Sequence, residues 1–269
     1  MRQNDPKVRV GAVSYLNTVP LVWGMLHGKE REVVDLGFSL PAVCAEQVEK
    51  GLIDVGLVPV AEIARQQLQI VSDVGIACYG AVRSILLASR VPFRRIRTLA
   101  ADAGSRTSVQ LAKVILRERY GVEPQVYQHT PELNAMLKNA DAALIIGDPA
   151  LQVEPQELSY EWLDLGSEWL TLTNLPMVFA AWAGKPGIPA GFLSQLKRNS
   201  YEFGKAHLDD IIEGEYRKRS ITRELAKRYL TEFIRFDLGQ SEQNGLEAFL
   251  ELAHLHRPTW HRDILKGAA

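Results

Sequence analysis

The chain has 269 residues, 46% hydrophobic and 23% charged, the balance of an ordinary globular protein of one large domain or two lobes. With 31 basic against 32 acidic side chains, its net charge of -1 gives no electrostatic ground for a nucleic-acid partner or an anionic membrane surface. Cys44 and Cys78 read as buried thiols of a reducing compartment, no metal-ligand spacing is visible, and no apolar run nears the ~20 residues of a membrane span.

The first residues, MRQNDPK, are polar and lack the apolar stretch of a secretory signal, so a cytoplasmic protein is expected. VRVGAV then reads as a strand, and Thr18 and Pro20 open a helix that runs to about His27. VVDLGFSL is a second strand. The segment after it predicts a helix with Ser39 as N-cap, Pro41 in the first turn and Gly51 at the end. IDVGLVPV is apolar on both faces, as a central strand is, and a helix follows from about Ala61. SILLAS is another buried strand.

Beyond the basic crossover VPFRRIR the pattern restarts. TLAAD is a strand, SRTSVQLAKVILRERYG a helix that stops at Gly121, EPQVYQH a strand, PELNAMLKNA a helix and AALIIGD a strand. MVFAAWAG returns as a strand, residues 188 to 254 read as almost entirely helical, and Ser241 is the expected cap of the closing helix. Alternating strands and helices predict an α/β protein with parallel sheets. The expected division is one lobe from residues 1–90 and 175–269 and a second from 91–174, with the cleft collecting the strand ends where such folds bind ligands.

Four polar groups fall at strand ends: Ser14 to Thr18, Ser84, DAGSRTS (102–108) and Gly147 with Asp148. Ser105, Arg106, Thr107 and Ser108 stand where a helix leaves unpaired N–H groups and a positive dipole end, which suits a carboxylate or phosphate. The plainer reading is a capped helix with Arg106 in solvent. Tyr15 suits either a ligand ring or the core. Asp148 suits a cleft or, with Pro149 behind it, a turn, and the turn is favoured. Glu62 reads as a solvated helix charge rather than a general base.

The ordered blocks VGAVSYLNTVPL, GLIDVGLVPVAEI, SILLAS, SRTSVQLAKVIL, IIGDPAL, DLGSEWLTLTNLPMVFAAW and YLTEFIRFDLGQSEQNGLEAFLELA resemble the chorismate dehydratase family of futalosine-route menaquinone biosynthesis. The resemblance runs from about residue 8 to about 255. It departs at Gly104, near which the family has Ser or Thr, and at Asn174, where glycine is usual. It implies a two-lobed, type II periplasmic-binding-protein-like fold used as an enzyme without a cofactor. It implies chorismate as the small-molecule substrate and 3-[(1-carboxyvinyl)oxy]benzoate and water as products. Asn17 and Ser84 would then lie nearest the reacting atoms and Ser105 to Ser108 would hold a carboxylate; Tyr15 and Asp148 are the further expected substrate contacts. Two other readings share the fold: a solute-binding protein, and the dihydroxynaphthoate-forming lyase of the same pathway, for which His129 is a conceivable cleft histidine.

Overall fold

The computed structural model describes residues 7–102 and 104–260. The chain begins with β1 (Val8–Val13), α1 (Val19–His27), β2 (Val34–Ser39), α2 (Pro41–Glu49), β3 (Val55–Pro59) and α3 (Val60–Gln66). Pro20 and Pro41 stand in first helical turns, where a missing N–H forfeits no helical hydrogen bond. Ser39 does not cap α2. It is the last residue of β2, paired with Val13, and Leu40 takes the N-cap position. β4 (Gln69–Cys78) follows, a ten-residue strand that the sequence pattern hides because Ser72 and Asp73 interrupt its apolar run.

A second sheet is then laid down by β5 (Ile85–Ser89), β6 (Thr98–Asp102), α4 (Thr107–Tyr120), β7 (Gln125–His129), α5 (Leu133–Asn139), β8 (Ala142–Ile146), α6 (Gly147–Leu151), β9 (Glu161–Asp164) and α7 (Leu165–Thr173). The chain returns as β10 (Met177–Gly184). The C-terminal part holds α8 (Ala190–Ala206), α9 (Leu208–Glu215), α10 (Arg223–Arg228), a π-helical turn (Tyr229–Phe233), β11 (Arg235–Asp237), α11 (Gln240–Leu252) and β12 (Thr259–Trp260). β11 breaks the helical stretch expected there. α11 is capped at Gly239, whose N–H donates to the Glu242 carboxylate at 3.1 Å, and not at Ser241.

The first sheet has seven strands, six in the order β11-β4-β10-β3-β1-β2 with β12 beside β4, and the second has five in the order β7-β6-β8-β5-β9. Both are mixed, not parallel. β10 runs antiparallel between β3 and β4, and β5 runs antiparallel to β8 and β9. SILLAS therefore belongs to the second sheet, and the chain crosses between Cys78 and Ile85, earlier than the crossing expected near residue 90. A short apolar strand fits either sheet, so its pattern does not choose. Its side chains alternate as a strand requires: Leu87 joins the main core, while Leu86 and Ala88 join a smaller cluster with Met136, Leu137 and Ile145.

Two details of backbone position the site. Gly204 of α8 lies against the Pro20 carbonyl, where any Cβ would collide, so the two helices meet backbone to backbone. Ser200 ties the same pair by donating to the Leu21 carbonyl at 2.8 Å and accepting from the Met25 N–H at 3.1 Å. α7 ends on Asn174 in the left-handed region (φ 56°), a conformation that glycine adopts without strain. No described helix is long and apolar enough to cross a membrane.

Candidate active site

The ends of β1 and β3, the first turn of α4 and the start of α6 converge on one cleft. Its walls are apolar: Val13, Leu57, Ile76, Val82, Ile85, Ile146 and Phe179. Set into them are Tyr15, Asn17, Thr18, Ser84, Ser105, Arg106, Thr107 and Ser108. Strand-end placement thus brings together every site residue expected from sequence except Asp148.

Asn17 follows β1 in a short 3-10 turn, and Ser84 stands in the segment that crosses between sheets. They do not touch directly. The Asn17 Nδ2 donates to the Tyr229 hydroxyl at 2.9 Å, and that hydroxyl donates to Ser84 Oγ at 2.8 Å. Tyr229 is buried, and burial pushes its phenol well above the ordinary range, so it stays protonated. Sequence reasoning missed it, because an aromatic in KRYLTEF reads as one more core residue.

Ser84 is held by its backbone. Asp164 accepts from the N–H groups of Val82 (3.0 Å), Arg83 (2.7 Å), Gly166 (3.0 Å) and Ser167 (3.1 Å), so one carboxylate both caps α7 and pins the loop before Ser84. Arg83 is left-handed (φ 63°), and its guanidinium donates to the carbonyls of Ala150 at 2.8 Å and Val153 at 2.5 Å, where α6 ends. The strained backbone is over-determined by those bonds.

The other hydroxyls of the cleft divide. Thr107 Oγ1 accepts from the Ala61 N–H at 3.2 Å and donates to the Phe179 carbonyl at 3.1 Å, so it stitches α4 to α3 and β10. Its hydroxyl is committed to the fold. Ser105 Oγ and Thr18 Oγ1 are buried with no hydrogen-bond partner among the described residues, although both residues line the cleft. A buried hydroxyl without a partner is uncommon enough to mark a place where something else binds. Arg106 is the only charged residue among the described residues lining the cleft, with its Nε 3.7 Å from Glu62. Glu62 is itself buried and accepts from Arg65 at 2.8 Å and Gln66 at 3.1 Å, so it is no solvated charge.

Tyr15 and Asp148 join the two sheets. The Tyr15 ring lies on Gly147, where a Cβ would come within 2.7 Å of it; Gly147 also has a positive φ of 65°. Asp148 opens α6, and its carboxylate accepts from the Leu16 N–H and from Arg219 Nε, each at 2.9 Å. Burial raises its pKa, and these two donors oppose the rise. Asp148 therefore anchors the turn that carries Asn17 from behind the cleft wall.

No Asp, Glu, His, Lys or Cys is among the described residues lining the cleft, and no described group of three His, Cys, Asp or Glu is placed to hold a metal ion. His129 turns to the Thr130 carbonyl, 2.8 Å from its Nδ1, and is not in the cleft. What the cleft offers is one guanidinium, hydroxyl and amide hydrogen-bonding groups, the free N–H groups of a helix start, and apolar walls. That set suits a small anion with a flat apolar body.

Two mixed sheets with a cleft lined from both define a periplasmic-binding-protein-like fold. The structure matches a protein of Archaeoglobus fulgidus with a TM-score of 0.77 at 17% identity, over 92% of this chain and 97% of that one. It also matches the alkanesulfonate-binding protein of Xanthomonas axonopodis pv. citri, bound to MOPS, with a TM-score of 0.68 at 14% identity, over 93% of each chain. Residues 8–255 match the menaquinone biosynthesis family, and the chain belongs to that family. The chorismate dehydratase of Thermus thermophilus is 28% identical over 260 residues, 90% of this chain and 93% of that protein.

Proposed function

We propose that the protein is a chorismate dehydratase, converting chorismate to 3-[(1-carboxyvinyl)oxy]benzoate and water. The observation that carries this reading is the make-up of the cleft: Arg106, Ser105 and the first turn of α4 for an anion, the Asn17 amide and Ser84 hydroxyl in the same lining, and no Asp, Glu, His, Lys or Cys among the described lining residues. Chorismate brings two carboxylates, one on its small ring and one on its enolpyruvyl ether, and the likeness to the Thermus thermophilus enzyme names the same substrate. One carboxylate meets Arg106, Ser105 and the first turn of α4.

Loss of the C3 proton and of the C4 hydroxyl as hydroxide leaves an aromatic ring, and together they make one water. With no Asp, Glu, His, Lys or Cys among the described lining residues, the carboxylate of the enolpyruvyl group takes the C3 proton, since it is tethered next to it. Asn17 and Ser84 orient the substrate and hydrogen-bond the departing oxygen.

Purified protein incubated with chorismate is expected to yield the aromatic ether, seen by ultraviolet absorbance and by a mass lower by one water. Binding without turnover would point to a solute-binding protein. Turnover of cyclic dehypoxanthine futalosine instead of chorismate would point to the lyase.

The partnerless hydroxyls allow a second check. Thr18→Val keeps the shape and removes an unsatisfied buried group, so the ligand-free protein should gain about 1 kcal/mol. Product affinity should fall about tenfold if the hydroxyl serves the ligand. Thermal unfolding with and without product reads both; a variant that gains stability and binds as before would leave Thr18 outside the site.

A further inference from the structure

The link between Asn17 and Ser84 runs through a residue from a distant part of the chain. Tyr229 is 212 residues from Asn17 and 145 from Ser84, and it enters at the first position of the π-helical turn. The Ile234 N–H reaches back to the Tyr229 carbonyl at 3.1 Å, five residues away, which is the wide spacing of that turn. Such turns recur at functional sites.

A phenol has one proton to give. Asn17 donates its amide to the Tyr229 oxygen, so the Tyr229 proton goes to Ser84. Ser84 Oγ then has a lone pair occupied, and its own proton is left for the cleft. A donor is what a departing hydroxide needs, because negative charge grows on that oxygen as the carbon–oxygen bond breaks. A lone pair presented there would repel it.

We propose that Tyr229 is a positioning residue that fixes the hydrogen-bond direction from Asn17 through Tyr229 to Ser84, so that Ser84 presents its proton to the substrate. The proposal rests on the dehydratase reading for its kinetic consequence, though the relay itself does not need a substrate to be observed.

Tyr229→Phe removes the hydroxyl and keeps the ring. It is expected to lower kcat for chorismate by about 100-fold, with KM unchanged. In a Ser84→Ala background the same change should bring no further loss, because its effect passes through Ser84. A Tyr229→Phe enzyme with wild-type kcat, or one that multiplies the Ser84→Ala loss in full, overturns the proposal. The second result is what a purely structural role would give. Nuclear magnetic resonance separates this from the substrate question. The Asn17 side-chain amide protons should exchange slowly with water in the wild type and quickly in Tyr229→Phe. Equal exchange in the two proteins overturns the relay whatever the substrate; changed exchange in a protein inert on chorismate upholds the relay and rejects the dehydratase reading.

Discussion

Asn17→Ala is expected to bind chorismate nearly as well as the wild type and to turn it over about 100- to 1,000-fold more slowly. The reasoning starts from what Asn17 does in the free protein. Its amide nitrogen is taken by Tyr229, and the rest of the group faces a cleft whose described lining residues include no Asp, Glu, His, Lys or Cys. An amide cannot act as a base at neutral pH, so its part is to hold the ring and the departing oxygen in line. Such an interaction is strongest in the transition state, and its loss lowers kcat more than it raises KM. Affinity should survive because the groups suited to a carboxylate are other residues, Arg106 and Ser105 with the start of α4, which the change leaves intact. Stability should survive as well: Asn17 is half-buried, and Tyr229, to which its side chain donates, keeps its bond to Ser84. Single-turnover kinetics beside equilibrium binding of the product measure the two quantities separately. Wild-type turnover in a folded Asn17→Ala enzyme would remove Asn17 from the chemistry.

Asn17 and Ser84 are singled out by the family resemblance. From the residues alone, Asn17 follows the end of β1, where an open α/β fold binds its ligand, whereas Ser84 stands only at the start of an apolar strand. Position along a strand is local information. Partnership is not: Tyr229 carries no local mark, since an aromatic on an amphipathic helix looks the same whether its hydroxyl meets a serine or nothing. Thr18 and Thr107 show the same limit in reverse. Both look like residues that begin helices, yet one hydroxyl bridges Ala61 and Phe179 while the other has no partner among the described residues. Strand direction was equally hidden. β5 is apolar up to Ser89 and β10 throughout, and nothing in an apolar run says which way its neighbours point. The placement of β5 in the second sheet follows from pairing with β8 and β9, contacts made far along the chain. Asp148 reads as a turn former, and it does begin a helix, but its use as an acceptor for the Leu16 N–H depends on a residue 132 positions away.

The largest expected change in stability comes from a residue remote from the cleft. Lys197 of α8 is fully buried, its Nζ has no hydrogen-bond partner among the described residues, and it lies 4.5 Å from the centroid of the Trp182 ring. Burial lowers its pKa to about 7 from 10.5. A depression of that size corresponds to about 5 kcal/mol against the folded state while the amine is charged. The face of Trp182 returns up to about 2 kcal/mol of this through its attraction for the cation. Lys197→Met keeps an unbranched chain of similar length in the same space, so at pH 7 it should raise stability by on the order of 3 kcal/mol. The pH dependence fixes the sign. The folded chain gives up this proton near pH 7 and the unfolded chain only near pH 10.5, so between these values the unfolded state holds more protons. The wild type therefore gains stability from Lys197 as pH rises through that window, and below it the full penalty stands. The advantage of Lys197→Met should accordingly be greatest at pH 7 and below, and should shrink toward pH 10. Urea unfolding of both proteins at several pH values, with unchanged slopes against urea, gives the difference directly. A gap that stays constant from pH 7 to pH 10 would mean that the amine keeps its ordinary titration inside the fold. No gap at pH 7 would mean that Trp182 compensates its burial in full.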